Sequence, residues 1–284
     1  MFAMIYIVLK GLEMKIDLHM HSRYSDGSDN LEDILEKAKK KGIEVLSVVD
    51  HDTTVHFKEL NRLSNKYDIK VISGVEISAY DFVRERKVHL LGYGYTGNLD
   101  NTIQINEMVS QRRHLHSLWQ LEQLFLNNYL PSDTYVKTSK AGVLYKQHIM
   151  KALTDSDFES DEYQQLYKKL FKNDGICSGD IEYVDVYKAV AALKSDGCKV
   201  VVAHPGQLDS YDLIEDLVPY GLDGVEVYHP DHNNEDEKRA RDLCDKYSLI
   251  MTGGSDYHGS YGKKVSVGKY LTPEDEWLKL INKE

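Results

Sequence analysis

Eight side chains able to bind a metal ion recur at or near the C-terminal end of apolar, strand-like runs. His19 and His21 close "KIDLHMHS", His51 follows "EVLSVVD", and Glu76 sits in "SGVEIS". His89 lies in "KVHLLGY", His204 in "VVVAHP", and Asp256 and His258 in "GGSDYH". Alternate residues of a strand share a face, so His19 and His21 point the same way while Leu18 and Met20 point the other. Burying so many ionisable groups together without a partner would cost several kcal/mol or more. Divalent ions remove that difficulty, because they neutralise carboxylates and take imidazoles as ligands. The chemistry this predicts is metal-assisted hydrolysis. Asp26, in "YSDGSDN", is a ninth candidate on the loop after the first strand, although a turn beside Gly27 also explains it.

The other histidines read differently. His56, His114 and His116 fall on predicted helices, as surface or packing residues. His232 is on a loop and is expected to be solvated. His229 ends a strand in "VEVYHP" and is ambiguous. Asp50 and Asp52 flank His51 and either orient it or mark a polar turn. The nitrogen and oxygen donors, with no thiolate among them, suit Mn²⁺, Fe²⁺ or Zn²⁺. Cys177, Cys198 and Cys244 are odd in number and form no C-x-x-C pair, which fits small buried thiols in a reducing cytoplasm.

The elements that must position these groups alternate. "KIDLH" reads as a strand; "LEDILEKAKKKG" places Leu31, Ile34, Leu35 and Ala38 at helical spacing and stops at Gly42. "EVLSVVDH", "IKVISGVEIS" and "KVHLLGYGY" are further strands, the last two close enough to be neighbours. Later, "YVDVYKAVAALKSDG", "YDLIEDLVPYG" and "NNEDEKRARDLCDKYS" are helices between the strands "KVVVAHP", "DGVEVYHP" and "LIMTGGSDYH". Such alternation predicts an α/β fold with a parallel sheet, open or closed into a barrel. Residues 99–182 have a helical texture and read as an insertion between two barrel portions, 14–98 and 183–284. Residues 1–13 are apolar, as an upstream extension or an extra edge strand.

Composition excludes some functions. Hydrophobic residues make up 42% and charged residues 29%, as in globular proteins, and the net charge of −11 argues against a broad grip on long double-stranded nucleic acid. No apolar run approaches the roughly 18 residues of a membrane span, and the N-terminus lacks the features of a signal peptide. The expectation is a cytoplasmic protein acting on a small substrate.

Taken in order, H-x-H, S-D-G, "VVDHDTT", "GVEIS", "VHLLGY", "VAHPG" and "GSDYHG" resemble the PHP family, named for polymerase and histidinol phosphatase, and within it the small stand-alone phosphoesterases that act on nucleotides. The resemblance runs from about residue 14 to the C-terminus. It implies a distorted (β/α)7 barrel holding three divalent ions, Mn²⁺ foremost. His19, His21, Glu76 and Asp256 would hold the first. Glu76 would bridge to a second on His89 and His204, and Asp26, His51 and His258 would take the third. A hydroxide bridging two ions would attack phosphorus, with His229 or His148 protonating the leaving oxygen. Lys146 and His148, in "LYKQHIMKAL", would hold substrate phosphate where the family has Arg and His; "FKNDGICSGDIEYV" departs from the family pattern. Arg112 and Arg113 are alternative anion contacts that read more simply as a solvated helix face. The implied activity is removal of a terminal phosphate from small nucleotides, such as 3′,5′-bisphosphates, or from short 5′-phosphorylated RNA. Histidinol-phosphate phosphatase and protein-tyrosine phosphatase are alternatives in the same family. A polymerase-accessory or metal-binding module is the non-enzymatic one.

Overall fold

The computed structural model describes residues 14–95 and 97–281, so the question of an edge strand in residues 1–13 lies outside the described residues. The fold is α/β. Parallel strands β1 (Ile16–Asp17), β2 (Val45–Leu46) and β3 (Lys70–Val71) form one sheet. A second sheet contains β4 (Gly74–Asp81), β5 (Arg86–Tyr93), β6 (Val184–Asp185), β7 (Lys199–Val202), β8 (Gly224–Tyr228) and β9 (Ile250–Gly253), in the order β6-β4-β5-β7-β8-β9. The two sheets close on one another through single bridges, Met20 with Tyr257 and His51 with Glu76. The result is a distorted barrel with β3 and β6 at its margins.

Local sequence accounts for the helices that wrap it. In α1 (Leu31–Lys41) the buried residues are Leu31, Ile34, Leu35 and Ala38, one stripe at helical spacing. Gly42 ends the helix at φ 72°, where its N–H reaches the Ala38 and Lys39 carbonyls. The α2 helix (Phe57–Tyr67) packs beside it, burying Leu60 and Leu63. Three helices occupy the stretch read as an insertion: α3 (Asp100–Leu126), α4 (Lys146–Leu153) and α5 (Asp161–Phe171). They share an apolar cluster that includes Leu124, Ile149, Met150 and Phe171, while Val109, nearer the start of α3, joins the barrel core. Helices α6 (Val186–Ser195), α7 (Pro205–Leu208), α8 (Tyr211–Leu217), α9 (Asn234–Tyr247) and α10 (Glu274–Ile281) cover the remaining strands. All three cysteines are buried and free.

The structure departs from the sequence reading in three places. "IKVISGVEIS" is two strands in different sheets, β3 and β4, broken at Ile72 and Ser73. The sheet is not all parallel: β5 runs antiparallel to both β4 and β7. Glu76 and His89 therefore lie inside strands rather than at C-terminal ends. β4 continues outward to pair with β6, and reversed β5 brings its first half to the face where the other strands end.

Candidate active site

Beyond β1 the alternation continues, with Ile16, Leu18 and Met20 in apolar clusters and Asp17, His19 and His21 buried on the opposite face. His19 Nε2 and His21 Nε2 are 3.2 Å apart, and Glu76 Oε2 lies 3.1 and 3.0 Å from them. Asp256 Oδ1 is 3.3 Å from each. His19, His21 and Glu76 thus form one close group of ligand atoms, whereas Asp256 groups with His19 and His229. The other oxygen, Glu76 Oε1, is 2.8 Å from His89 Nδ1 and 2.9 Å from His204 Nε2. Asp26 stands further out, with Oδ2 3.5 Å from His258 Nε2 and 4.0 Å from His51 Nε2, and Oδ1 3.7 Å from His21 Nδ1. All nine residues converge on one region.

Four overlapping groups offer ligand atoms within 4.8 Å of one another: His21, Asp26, His51 and His258; His19, His21 and Glu76; His19, His229 and Asp256; and His51, Glu76 and His89. This differs in part from the grouping the family resemblance implies, because His51 reaches Glu76 as well as Asp26, and His229 shares Asp256 with His19. The residues fit divalent ions. His21, His51 and His204 each keep a buried Nδ1 with no hydrogen-bond partner, and the donor set is imidazole and carboxylate throughout. Burial alone would raise the Glu76 carboxyl, yet His51, His19 and His89 outweigh it and hold it well below the carboxylate range. Asp26 and Asp256 are held low in the same way, chiefly by His258 acting against burial. Burial pushes His51 well below its ordinary value. The carboxylates act the other way on their nearest imidazoles, raising His19 well above its ordinary value and His21 to about 10 against burial, so a cation would take these ligands by displacing protons.

Several side chains fix this arrangement. Glu226, which sequence reasoning missed, is fully buried; it takes the His19 Nδ1 proton at 2.9 Å and the His204 backbone N–H at 2.9 Å. That bond leaves the His19 Nε2 lone pair facing the cluster. Its signal was a carboxylate between Val225 and Val227, inside an otherwise apolar strand. Asp17 accepts from the Ser255 hydroxyl and backbone and from the Gly268 N–H. Gly254 passes so close to His19 that a Cβ there would lie 2.3 Å from the His19 Cβ, so only glycine fits. His204 and Asp256 have φ of 26° and 45°, a left-handed backbone that non-glycine residues adopt at a cost.

Neither Asp50 nor Asp52 orients the His51 ring. Asp50 accepts from the Ser22 backbone and hydroxyl and from the Ser25 hydroxyl instead. Asp52 accepts from Ser78 and from Arg113 Nη2 at 2.8 Å. Arg113 is thus no solvated helix residue. It leans over the Tyr145 ring, donates to Ser78 Oγ at 2.7 Å, and keeps a buried Nε without a partner. Arg112 does pair with exposed Glu182. Arg113 lines a cavity of about 440 Å³ that also touches Asp26, His51 and His89. Lys87, Lys146 and Lys172 make it basic; Lys172 and Asp180 come from the stretch that departs from the family pattern. Burial pulls the Lys146 ammonium down to about 8.

The two proposed proton donors sit apart. His229 is buried with Nε2 3.3 Å from Asp256 Oδ2, while its Nδ1 accepts the Asp231 N–H at 3.0 Å. The neutral ring therefore carries its proton on Nε2. His148 lines a different cavity, beside Arg23, and burial lowers it to about 4. Gln147 Nε2 donates to Asp26 Oδ2 at 2.8 Å, a contact with no sequence signal. His232 is buried rather than solvated, donating to the Val227 carbonyl and accepting from the Gly206 N–H. His56 is fully buried and donates to the Val48 carbonyl. No helix among the described residues is long and apolar enough to cross a membrane.

Known proteins share this architecture. The PHP domain model matches residues 17–251. A phosphoribosyl 1,2-cyclic phosphate 1,2-diphosphodiesterase of Eggerthella lenta is 46% identical over 254 residues, covering 89% of this chain and 97% of its own. A 3′,5′-nucleoside bisphosphate phosphatase of Chromobacterium violaceum is 24% identical, over 91% of this chain and 93% of its own. The crystal structure of a Bifidobacterium adolescentis protein assigned as a metal-dependent phosphoesterase superposes with a TM-score of 0.84 at 25% identity, covering 94% and 96% of the two chains.

Proposed function

The chain belongs to the PHP domain family, and on that premise we propose that this metal-dependent phosphoesterase hydrolyses a phosphoribosyl 1,2-cyclic phosphate. Its relative of that activity shares 46% identity across 97% of its length. The observation that carries the reading to this chain is Arg113, whose buried Nε has no partner in a basic cavity contiguous with the ligand cluster. A phosphorylated ribose with a cyclic phosphate carries two anionic groups. One would lie at the cluster while the other meets Arg113 and Lys146.

His19, His21, Asp26, His51, Glu76, His89, His204, Asp256 and His258 would hold the ions, three in our reading. Bound ions would supply a water nucleophile deprotonated at neutral pH and neutralise charge on the phosphoryl oxygens. The chain does the rest. Glu226 fixes the His19 tautomer. Arg113 and Lys146 anchor the phosphate that does not react, so that the reacting one is held in place. His229 presents Nε2–H beside Asp256, as a hydrogen-bond donor to the departing or phosphoryl oxygen. Its Nδ1 faces an N–H and resists a second proton, so His229 acts as a neutral donor and not as an imidazolium acid. The second reading, a nucleoside bisphosphate, is favoured by the tyrosines of the same cavity, Tyr145, Tyr163, Tyr167 and Tyr183, on which a base can stack.

Steady-state kinetics of the metal-loaded protein on phosphoribosyl 1,2-cyclic phosphate, a 3′,5′-bisphosphate and histidinol phosphate test the reading. The cyclic ester is expected to give the highest kcat/KM by about tenfold or more. Preference for the bisphosphate would establish the second reading, and preference for histidinol phosphate would overturn both. Lys146 adds a pH dependence. Its lowered pKa of about 8 means that it is charged below that pH and neutral above it. KM for a substrate with two phosphates is expected to rise as pH passes about 8, and Lys146→Arg should flatten the rise, because guanidinium stays charged. Identical KM profiles for the two proteins would remove Lys146 from phosphate binding.

A further inference from the structure

We propose that the cavity beside His148 is a second phosphate-binding site, separate from the ligand cluster and from the Arg113 pocket. The cavity holds about 310 Å³ between the loop that follows β1 and the loop that precedes α4. The two loops are tied where the Lys140 N–H donates to the Arg23 carbonyl at 2.6 Å. Its charged lining is basic: Arg23, Lys137 and Lys140, with no carboxylate, in a chain of net charge −11. Lys140 is shared with Glu59 at 3.4 Å. The Arg23 guanidinium, among the described residues, donates only to the neutral Asn30 Oδ1 at 3.3 Å.

Two buried donors complete the lining. His148 is 5% exposed and accepts the Tyr145 N–H on Nδ1 at 3.1 Å, so its proton lies on Nε2, where no acceptor meets it. Ser139 is 6% exposed; its Oγ accepts the Val143 N–H at 3.1 Å, and its own proton has no acceptor either. Neither donor has an acceptor within the protein, and both residues line the cavity. A group with several anionic oxygens answers both the donors and the positive charge, and phosphate is that group. Tyr261 lines this cavity and also the one over the ligand cluster, so the site opens beside the place where phosphate would be released. The occupant is either free phosphate or a further phosphate of an extended substrate.

Titration calorimetry with inorganic phosphate on the metal-loaded protein tests this without turnover, and so independently of which ester the centre cleaves. The double variant Arg23→Met, Lys137→Met alters side chains at the cavity mouth and leaves the buried donors in place. It is expected to bind one phosphate fewer per chain than the parent, and Ser139→Ala should weaken the same equivalent. KM values for a 5′-phosphorylated dinucleotide and a mononucleotide separate the two sources. Loss of the phosphate equivalent with both KM values unchanged assigns the site to free phosphate. A rise of about tenfold for the dinucleotide alone assigns it to the extended substrate. Unchanged stoichiometry together with unchanged KM values overturns the proposal.

Discussion

Replacing Glu76 by Gln is expected to lower kcat by about 10³-fold or more and to remove at least one metal equivalent per chain. The substitution keeps the shape and changes the charge. Glu76 Oε2 lies 3.1 and 3.0 Å from His19 and His21, and Oε1 lies 2.8 and 2.9 Å from His89 and His204. An amide would turn an NH₂ toward one of these imidazole pairs, where only an acceptor can bind a cation. Groups that stabilise developing charge in a preorganised site are each worth about 10²–10³ in kcat, and Glu76 serves two halves of the site together. Elemental analysis beside single-turnover kinetics reads both effects. A Glu76→Gln protein with full metal content and parental kcat would take this carboxylate out of the centre.

The second large effect is selective. Arg113→Met keeps the apolar stem and removes the guanidinium held by Asp52 and Ser78 at 2.8 and 2.7 Å. A hydrogen bond to a charged group contributes about 1.5–3 kcal/mol, so kcat/KM for a substrate carrying two phosphates should fall roughly 10- to 150-fold. A simple aryl phosphate, with nothing to place in the cavity, should lose less than about threefold. Arg113→Lys should recover part of the loss, because it restores the charge without the fork. Equal losses on both substrates would make Arg113 a support of the fold rather than a substrate contact.

What the sequence disclosed follows from how strands and helices encode their faces. A two-residue period is unambiguous when one face is apolar. "KIDLHMHS" therefore placed His19 and His21 together, and the same logic extended to Asp17 and to Glu226 between two valines would have found both supports. The direction of β5 was also within reach. Only four residues separate Asp81 from Arg86, whereas a parallel crossover needs about a dozen. Arg113 was not legible. In α3 apolar residues surround the axis: Val109, Leu121 and Leu124 are buried while Leu115, Leu118 and Trp119 are exposed. With no single apolar stripe, periodicity could not tell which polar residue turned inward. Gln147, between two residues that did attract notice, depends wholly on how α4 is rotated against the barrel.

The barrel is joined rather than continuous. Its three-stranded sheet meets the six-stranded one through a few backbone bonds: Leu18 N–H to the Gly253 carbonyl, His21 N–H to Tyr257, and Asp52 N–H to Glu76, with Glu76 N–H returned to Val49. His19, His21 and His51 come from one side of those two seams, and Glu76, His89, His204 and Asp256 from the other. Ions at the centre would therefore act as rivets as much as reagents, turning binding energy into cohesion between halves. Stripping them should loosen the seams before the sheets themselves. In hydrogen exchange the amides of His21, Asp52 and Glu76 would lose protection first, while the eight-residue ladder of β4 and β5 stays closed until the whole chain unfolds.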